Sequence, residues 1–400
     1  MRADEPSRAT TRAATRRETL KSIALGMAAL ATPAMARGRA KDLAARVDPI
    51  AQQAVQAGTV AGLAIAIGDR DGPLFAKGYG FANLETGTRA DENSVFRIAS
   101  ITKTFTATAM MLLKEAGKLD LEQSLADFYP QIPRAREITL RQLLSHTAGL
   151  HDYAQGGYPP AFGKWSTADE FARGIPEMRP LYDFDPGTKY SYSNGGYVLL
   201  AGVIEKTSGF AYAQFLKERI FAPCGMTSTA VDDPLDVAPH RADGYSLKDG
   251  KPGAFRHADY MDRLPLSAGA IRSSAVDMLR WSAAFFGGQV VSAASVAEMT
   301  RPARTKSGAL VGDARWWPPG FDPGKPPAFA TNDNYGLGWE MTTFHGRPTA
   351  NHSGGINGFN AMLTRYLDED LTLVCLGNTD NGIVAPWSQL VAQFGTPTLR

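Results

Sequence analysis

The sequence is poor in the residues that disulfide, metal and redox chemistry use. It holds two cysteines and six histidines in 400 residues. Two cysteines build no disulfide framework. An exported protein could pair them, but Cys375 lies in the apolar run Leu371–Leu376, where a small hydrophobe fits, so two free thiols at Cys224 and Cys375 are the expectation and a disulfide the alternative. Neither sits in the electropositive setting that a nucleophilic thiolate needs. No His-Glu-x-x-His segment occurs, and His146 and His151 are five apart, which excludes the helical zinc-protease spacing. No Gly-x-Ser-x-Gly occurs, so the nucleophile elbow of the α/β-hydrolases is missing. Phosphate loops and dinucleotide fingerprints are missing as well. Neither a metal nor an organic cofactor is expected. Charge of one sign is also lacking: 42 basic residues face 40 acidic ones, net +2, which gives no sign of a nucleic-acid partner. What is present is ordinary for a globular enzyme, with 44% hydrophobic and 20% charged residues in a length that suits one large domain or two joined subdomains.

The N-terminus carries a directed pattern. Arg16-Arg17-Glu18-Thr19-Leu20-Lys21 precedes the apolar run Ile23–Ala31, and Ala34-Met35-Ala36 offers a small-x-small cleavage site. The run is about half of what a bilayer needs, so residues 1–36 read as an export signal of twin-arginine type, not as a membrane span. Thr19 departs from that signal, where a bulky apolar residue is usual. Cleavage after Ala36 removes six basic and three acidic residues and leaves 36 against 37, net −1. The mature chain is expected in the periplasm, without a stable membrane span.

Residues 37–400 read as one domain of mixed α and β structure. Val60–Ile67 alternates large and small apolar residues and reaches a turn at Asp69–Gly72, and Leu74–Phe81 continues as a second strand, so the segment reads as a hairpin. Ser100–Glu115 is helical, with Ile101, Phe105, Ala109 and Leu112 recurring on one face. Helices are expected over Leu140–Ser145, Gly195–Thr207 with a stop at Gly209, Tyr212–Phe221 and Ser274–Phe286. Residues 301–334, rich in Pro, Gly and Trp, read as an irregular excursion. Its Trp316, Trp317 and Phe321 pack onto the body or wall a cleft. Strands return at Gly336–Thr343, Thr349–His352, Phe359–Tyr366 and Leu371–Leu376, and Ile383–Phe394 closes as a helix. Strands at both ends imply one antiparallel sheet subdomain, about 45–99 with 335–400, with flanking helices. A helical subdomain, about 100–300, is inserted between them.

Ser100-Ile-Thr-Lys103 at the start of a helix puts Ser and Lys one turn apart on one face. Serine needs a base at hydrogen-bond distance, and a desolvated lysine can lose its proton near neutral pH. Downstream, Tyr192-Ser-Asn194 stands directly before a helix. Its tyrosine can shuttle a proton if lysine charge stabilises the phenolate, and its asparagine can hold a substrate carbonyl. His352-Ser-Gly354-Gly355 comes late, at a strand end, where glycines allow substrate to approach the backbone.

These three elements, in this order and at these separations, resemble the serine β-lactamase and penicillin-binding protein family. The supporting segments are Phe96–Ser100, Ile138–Leu150, Pro223–Met226 and Gly354–Gly358. The likeness is greatest to the branch of class C β-lactamases, D-alanyl-D-alanine carboxypeptidases and family VIII esterases. The resemblance implies a β-lactamase/transpeptidase-like fold, Ser100 as nucleophile, Lys103 as its base partner and Tyr192 as general acid/base. Asn194, His352, Gly354 and Gly355 become substrate contacts, and His146 packs near the site. The third motif of true β-lactamases usually begins with lysine. Here a histidine, largely neutral at pH 7, replaces that cation and weakens the case for efficient β-lactam hydrolysis. The expected activity is acyl transfer from a D-amino-acid peptide or amide, or from a short-chain ester. The alternatives are β-lactam hydrolysis and a muropeptide- or penicillin-binding protein that does not turn over.

Overall fold

The computed structural model describes residues 33–162, 164–233, 235–258, 266–312 and 330–394, with side chains for all but 33–39 and 330–333. Residues 1–32 of the expected signal, and Trp316, Trp317 and Phe321, lie outside the described residues. Helix α1 (Pro33–Gln56) leads into the expected hairpin, β1 (Gly62–Asp69) and β2 (Gly72–Asn83), followed by β3 (Thr88–Arg89) and β4 (Phe96–Arg97). The middle of the chain holds α2 (Thr102–Glu115), α3 (Leu140–Leu144), α4 (Ala168–Gly174), α5 (Asn194–Ser208) and α6 (Tyr212–Leu216). Then come β5 (Ala230–Val231), β6 (Tyr245–Leu247), β7 (Phe255–His257), α7 (Leu266–Gly269), β8 (Ile271–Ser273), α8 (Ala275–Phe286) and α9 (Ala293–Met299). Strands return as β9 (Ala330–Tyr335), β10 (Glu340–Phe344), β11 (Arg347–Ile356), β12 (Phe359–Tyr366) and β13 (Leu371–Gly377), and α10 (Val384–Phe394) closes the chain.

Both chain ends build one antiparallel sheet in the order β3-β2-β1-β13-β12-β11-β10-β9. Period-two alternation sorts β1 onto two faces. Leu63, Ile65 and Ile67 pack with α1 and α10, against Val47, Ile50, Trp387 and Leu390. Ala64 and Ala66 face the helical body, where their small side chains let α8 lie close.

Two expectations shift. The strand expected over Gly336–Thr343 begins only at Glu340, and β9 takes up 330–335, at the end of the expected excursion. Residues 336–339 instead turn and press against the body. A Cβ on Gly336 would lie 2.1 Å from the Met299 carbonyl, and one on Gly338 (φ +78°) 2.8 Å from the Lys103 carbonyl. Helix α2 is the second. It is buried all round, not on one stripe, and Thr102, Thr104, Thr106 and Thr108 lie in the core. Their hydroxyls are all paired: Thr104 donates to the Ile101 carbonyl (2.8 Å) and Thr108 to the Thr104 carbonyl (2.8 Å) within the helix, while Thr106 donates to the Ser267 carbonyl (2.7 Å) and Thr102 accepts from the Ile271 N–H (3.1 Å). The central position of α2 sets its first turn, with Thr102 and Lys103, in the core.

Candidate active site

Strand β4 pairs with β8, and the Ile98 N–H donates to the Ile271 carbonyl at 3.0 Å. The chain then makes a 3-10 turn over Ala99–Ile101 and enters α2. Ala99 has φ +46°, a left-handed conformation that costs a residue bearing a Cβ about 1–2 kcal/mol. Such a turn persists because its surroundings hold it. One of those surroundings is Gly354: a Cβ there would stand 2.1 Å from the Ile98 carbonyl, so only glycine lets β11 lie against the turn. The turn leaves Ser100 half-buried, with Lys103 one turn further along.

Lys103 is wholly buried, and its Nζ has three acceptors: Ser100 Oγ at 3.1 Å, Asn194 Oδ1 at 2.8 Å and the Ala268 carbonyl at 2.8 Å. Burial lowers its pKa from 10.5 to about 7, against the opposing pull of Asp152 and Glu340. A neutral amine has two N–H groups and one lone pair. The amide and backbone oxygens can only accept, so they take the two N–H groups and the lone pair is left facing the Ser100 hydroxyl. Tyr192 also hydrogen-bonds Ser100, and Lys103 Nζ sits 4.7 Å from the centre of its ring. Packing around the Tyr192 hydroxyl pushes its pKa well above 10, an effect that the Ser100 bond opposes and that Glu340, Tyr197 and Asp152 reinforce. The phenol therefore keeps its proton near neutral pH. Near neutral pH, Lys103 can therefore accept a proton from Ser100, and Tyr192 has a proton to give.

The strand expected to stop at His352 runs on to Ile356, so the third motif, His352 to Gly355, forms the last part of β11. On one side, His352 to Gly355 pair with Leu363 to Asn360 of β12. On the other, β10 pairs with β11 only as far as Asn351, so among the described residues no strand covers the edge from His352 to Ile356. That edge passes the Ser100 turn. Gly355 is exposed there, and the nearest atom to a Cβ on it is Asn360 Nδ2 at 4.0 Å. His352 is not on the cleft surface. Its side chain is buried, with Nδ1 2.7 Å from the Ser353 carbonyl and Nε2 3.1 Å from the Tyr335 hydroxyl. The carbonyl can only accept, so Nδ1 carries the proton and Nε2 accepts from Tyr335. Burial, with the charge of Lys103, lowers the His352 pKa to about 3.

A family model for Beta-lactamase matches residues 47–393. The chain belongs to the β-lactamase family. It is 30% identical over 331 residues to penicillin-binding protein 4* of Bacillus subtilis, covering 77% of this chain and 66% of that one. It is 28% identical over 344 residues to an unguisins hydrolase of Aspergillus violaceofuscus, covering 78% of this chain and 57% of that one. The chain thus spans less than two thirds of either relative's length. Among solved structures it resembles the D-amino acid amidase of Ochrobactrum anthropi SV3 in complex with L-phenylalanine, with 25% identity, a TM-score of 0.71 and coverage of 88% and 98%. The penicillin-binding protein homologue from Pyrococcus abyssi, described as octameric, has 23% identity, a TM-score of 0.71 and coverage of 90% and 78%.

In this β-lactamase-family site, Asn194 is already committed: Oδ1 accepts from Lys103, and Nδ2 donates to Asp152 Oδ2 at 3.0 Å. His146, expected as a packing residue, grips Tyr192 from both flanks. Its carbonyl accepts from the Ser191 N–H and its Nδ1 from the Ser193 N–H, both at 3.0 Å, and its ring lies 4.3 Å from that of Tyr192. Burial and the charge of Lys103 hold its pKa well below 6.5, so Nδ1 is free to accept. Sequence reasoning missed Asp152, Glu340, Tyr197 and Tyr335. An acid at an inward position of a strand was a signal for Glu340, which is buried and accepts from Asn351 at 3.0 Å. No signal tied Asp152 to residue 194, since the contact spans 42 positions. Both cysteines are free, and Cys375 is buried in the sheet core as expected.

Proposed function

We propose that this chain is a serine hydrolase that passes through an acyl-enzyme on Ser100 and cleaves the amide of a D-amino acid or a short-chain ester. The observation that carries the reading is the tripod at Lys103, which leaves a base directed at the Ser100 hydroxyl. Ser100 Oγ bonds to the substrate carbonyl carbon while its proton passes to Lys103 Nζ. The N–H groups of Ser100 and of Gly355, on the uncovered edge of β11, receive the oxyanion. The C–N or C–O bond breaks as Tyr192 gives its phenolic proton to the leaving atom, and the Lys103 ammonium restores that proton. A water then attacks the ester carbon, its proton moves to the same pair, and Ser100 leaves with its hydroxyl restored. The neutral, buried His352 supplies no fixed cation for a substrate carboxylate, which favours uncharged amides and esters over penicillins. The amidase likeness points the same way. The export-signal pattern of residues 1–36 supports a periplasmic location for the mature protein. Among the described residues no helix is long and apolar enough to cross a membrane.

The test compares the protein and its Ser100→Ala variant on p-nitrophenyl butyrate, D-phenylalanine amide and a penicillin. Turnover of the first two is expected, lost by about a thousandfold or more in the variant, with the penicillin hydrolysed more slowly than either. Equal turnover by the variant removes Ser100 as nucleophile. One equivalent of p-nitrophenol without a steady state assigns a protein that acylates once and stops.

A further inference from the structure

Asp152 stands outside every motif in the sequence, yet it reaches the base through one intermediary. It is buried at 4% exposure, and its carboxylate has three donors at the start of α5: the Asn194 N–H (3.1 Å) and the Gly195 N–H (3.2 Å) on Oδ1, and Asn194 Nδ2 (3.0 Å) on Oδ2. An ionised carboxylate only accepts, so the Asn194 amide has one orientation open to it: nitrogen toward Asp152 and oxygen toward Lys103. That orientation decides where the lone pair of Lys103 points. With Oδ1 and the Ala268 carbonyl consuming the two N–H groups of the neutral amine, the lone pair faces Ser100. With the amide reversed, Nδ2 would meet Lys103, take the lone pair, and leave Ser100 facing an N–H.

We propose that Asp152 is a positioning residue for the base: by fixing the Asn194 amide it directs the lone pair of Lys103 at Ser100. The proposal rests on the acyl-enzyme reading. The charged and titratable groups around Lys103 are Asp152 from the segment after α3, Glu340 from β10, Tyr192 and Tyr197 at and beside α5, His146 from the α3 end and His352 from β11. Both histidines are neutral and both phenols protonated near pH 7, so the charges that act on Lys103 are the carboxylates of Asp152 and Glu340; burial raises the Asp152 pKa, and its bonds to the Gly195 N–H and Asn194, with the charge of Lys103, oppose that rise. Removing the Asp152 charge, or reversing the amide, disfavours the ammonium, and both move its titration to lower pH.

The test is the rate of Ser100 modification by a fluorophosphonate from pH 5 to 9, read by intact mass, which needs no knowledge of the natural substrate. Asp152→Asn keeps an acceptor for the α5 amides but offers an NH₂ to Asn194, which must turn its oxygen away from Lys103. The expected result is a rate at pH 8 about tenfold lower or more, with the midpoint of the acid limb moved to lower pH. In an Asn194→Ala background the same change is expected to cost less than about twofold, because the intermediary is gone. A helix cap alone would lower the melting temperature, and loss of the charge alone would move the midpoint, but neither makes the loss of rate depend on Asn194. Wild-type rate and midpoint in Asp152→Asn, a slower rate with an unmoved midpoint, or an equal loss in both backgrounds each overturn the proposal. Absence of Ser100 labelling in the wild-type protein overturns the acyl-enzyme reading itself, and the role of Asp152 with it.

Discussion

Replacing Lys103 with methionine isolates what it costs this fold to bury the amine beside Ser100. The side chains have similar volume, but methionine carries no charge. Burial lowers the Lys103 pKa from 10.5 to about 7, and each unit is worth 1.36 kcal/mol, so charging the buried amine costs about 5 kcal/mol. The sign follows from the protons bound in each state. Below about pH 7 the folded and unfolded chains both hold the proton, and the whole penalty applies. From there to 10.5 the unfolded chain alone holds it, so stability rises with pH. Above 10.5 neither holds it and the penalty is gone. Between pH 6 and pH 9 the wild-type protein should therefore gain about 2 to 3 kcal/mol relative to Lys103→Met. The absolute difference at one pH is less informative, because the variant strands the Asn194 and Ala268 oxygens at about 1–3 kcal/mol each. Urea unfolding of both proteins at the two pH values measures the difference of differences. A value flat within about 0.5 kcal/mol would refute the claim that Lys103 is neutralised by burial.

Two further outcomes follow from the same geometry. Gly354→Ala forces a Cβ to 2.1 Å from the Ile98 carbonyl and should lower stability by about 1–3 kcal/mol with loss of turnover, whereas Gly355→Ala meets nothing nearer than 4.0 Å and should unfold within about 0.5 kcal/mol of wild type. Thermal melts of the pair check this, and equal shifts would contradict the packing of β11 on the Ser100 turn. Because Lys103 must be neutral to accept the Ser100 proton, kcat/KM should fall about tenfold per pH unit below a midpoint near 7. A profile level down to pH 5 would exclude Lys103 as the base.

Much of this protein was legible in its order of residues. The alternation in Val60–Ile67, the apolar runs at Phe359–Tyr366 and Leu371–Leu376, and the glycine at 209 are local signals, and their elements formed where period and caps placed them. The pairing of Ser100 with Lys103 was equally local, since one turn of helix suffices to bring them together. Tertiary structure decided the rest, because those features are contacts between distant segments. Only packing made α2 a core helix with four buried threonines, turned Gly336–Trp339 away from strand geometry, and drew His352 in from the cleft surface. Burial, which no four-residue motif encodes, set the proton states: Lys103 near neutrality and Tyr192 protonated. Asp152 reached Asn194 across 42 positions for the same reason. The sequence by itself determined the family and the three motifs that meet at Ser100. Desolvation and orientation, which exist only once the sheet, α2 and α5 close around them, decided which of their groups gives up its proton near neutral pH, which keeps it, and what each faces.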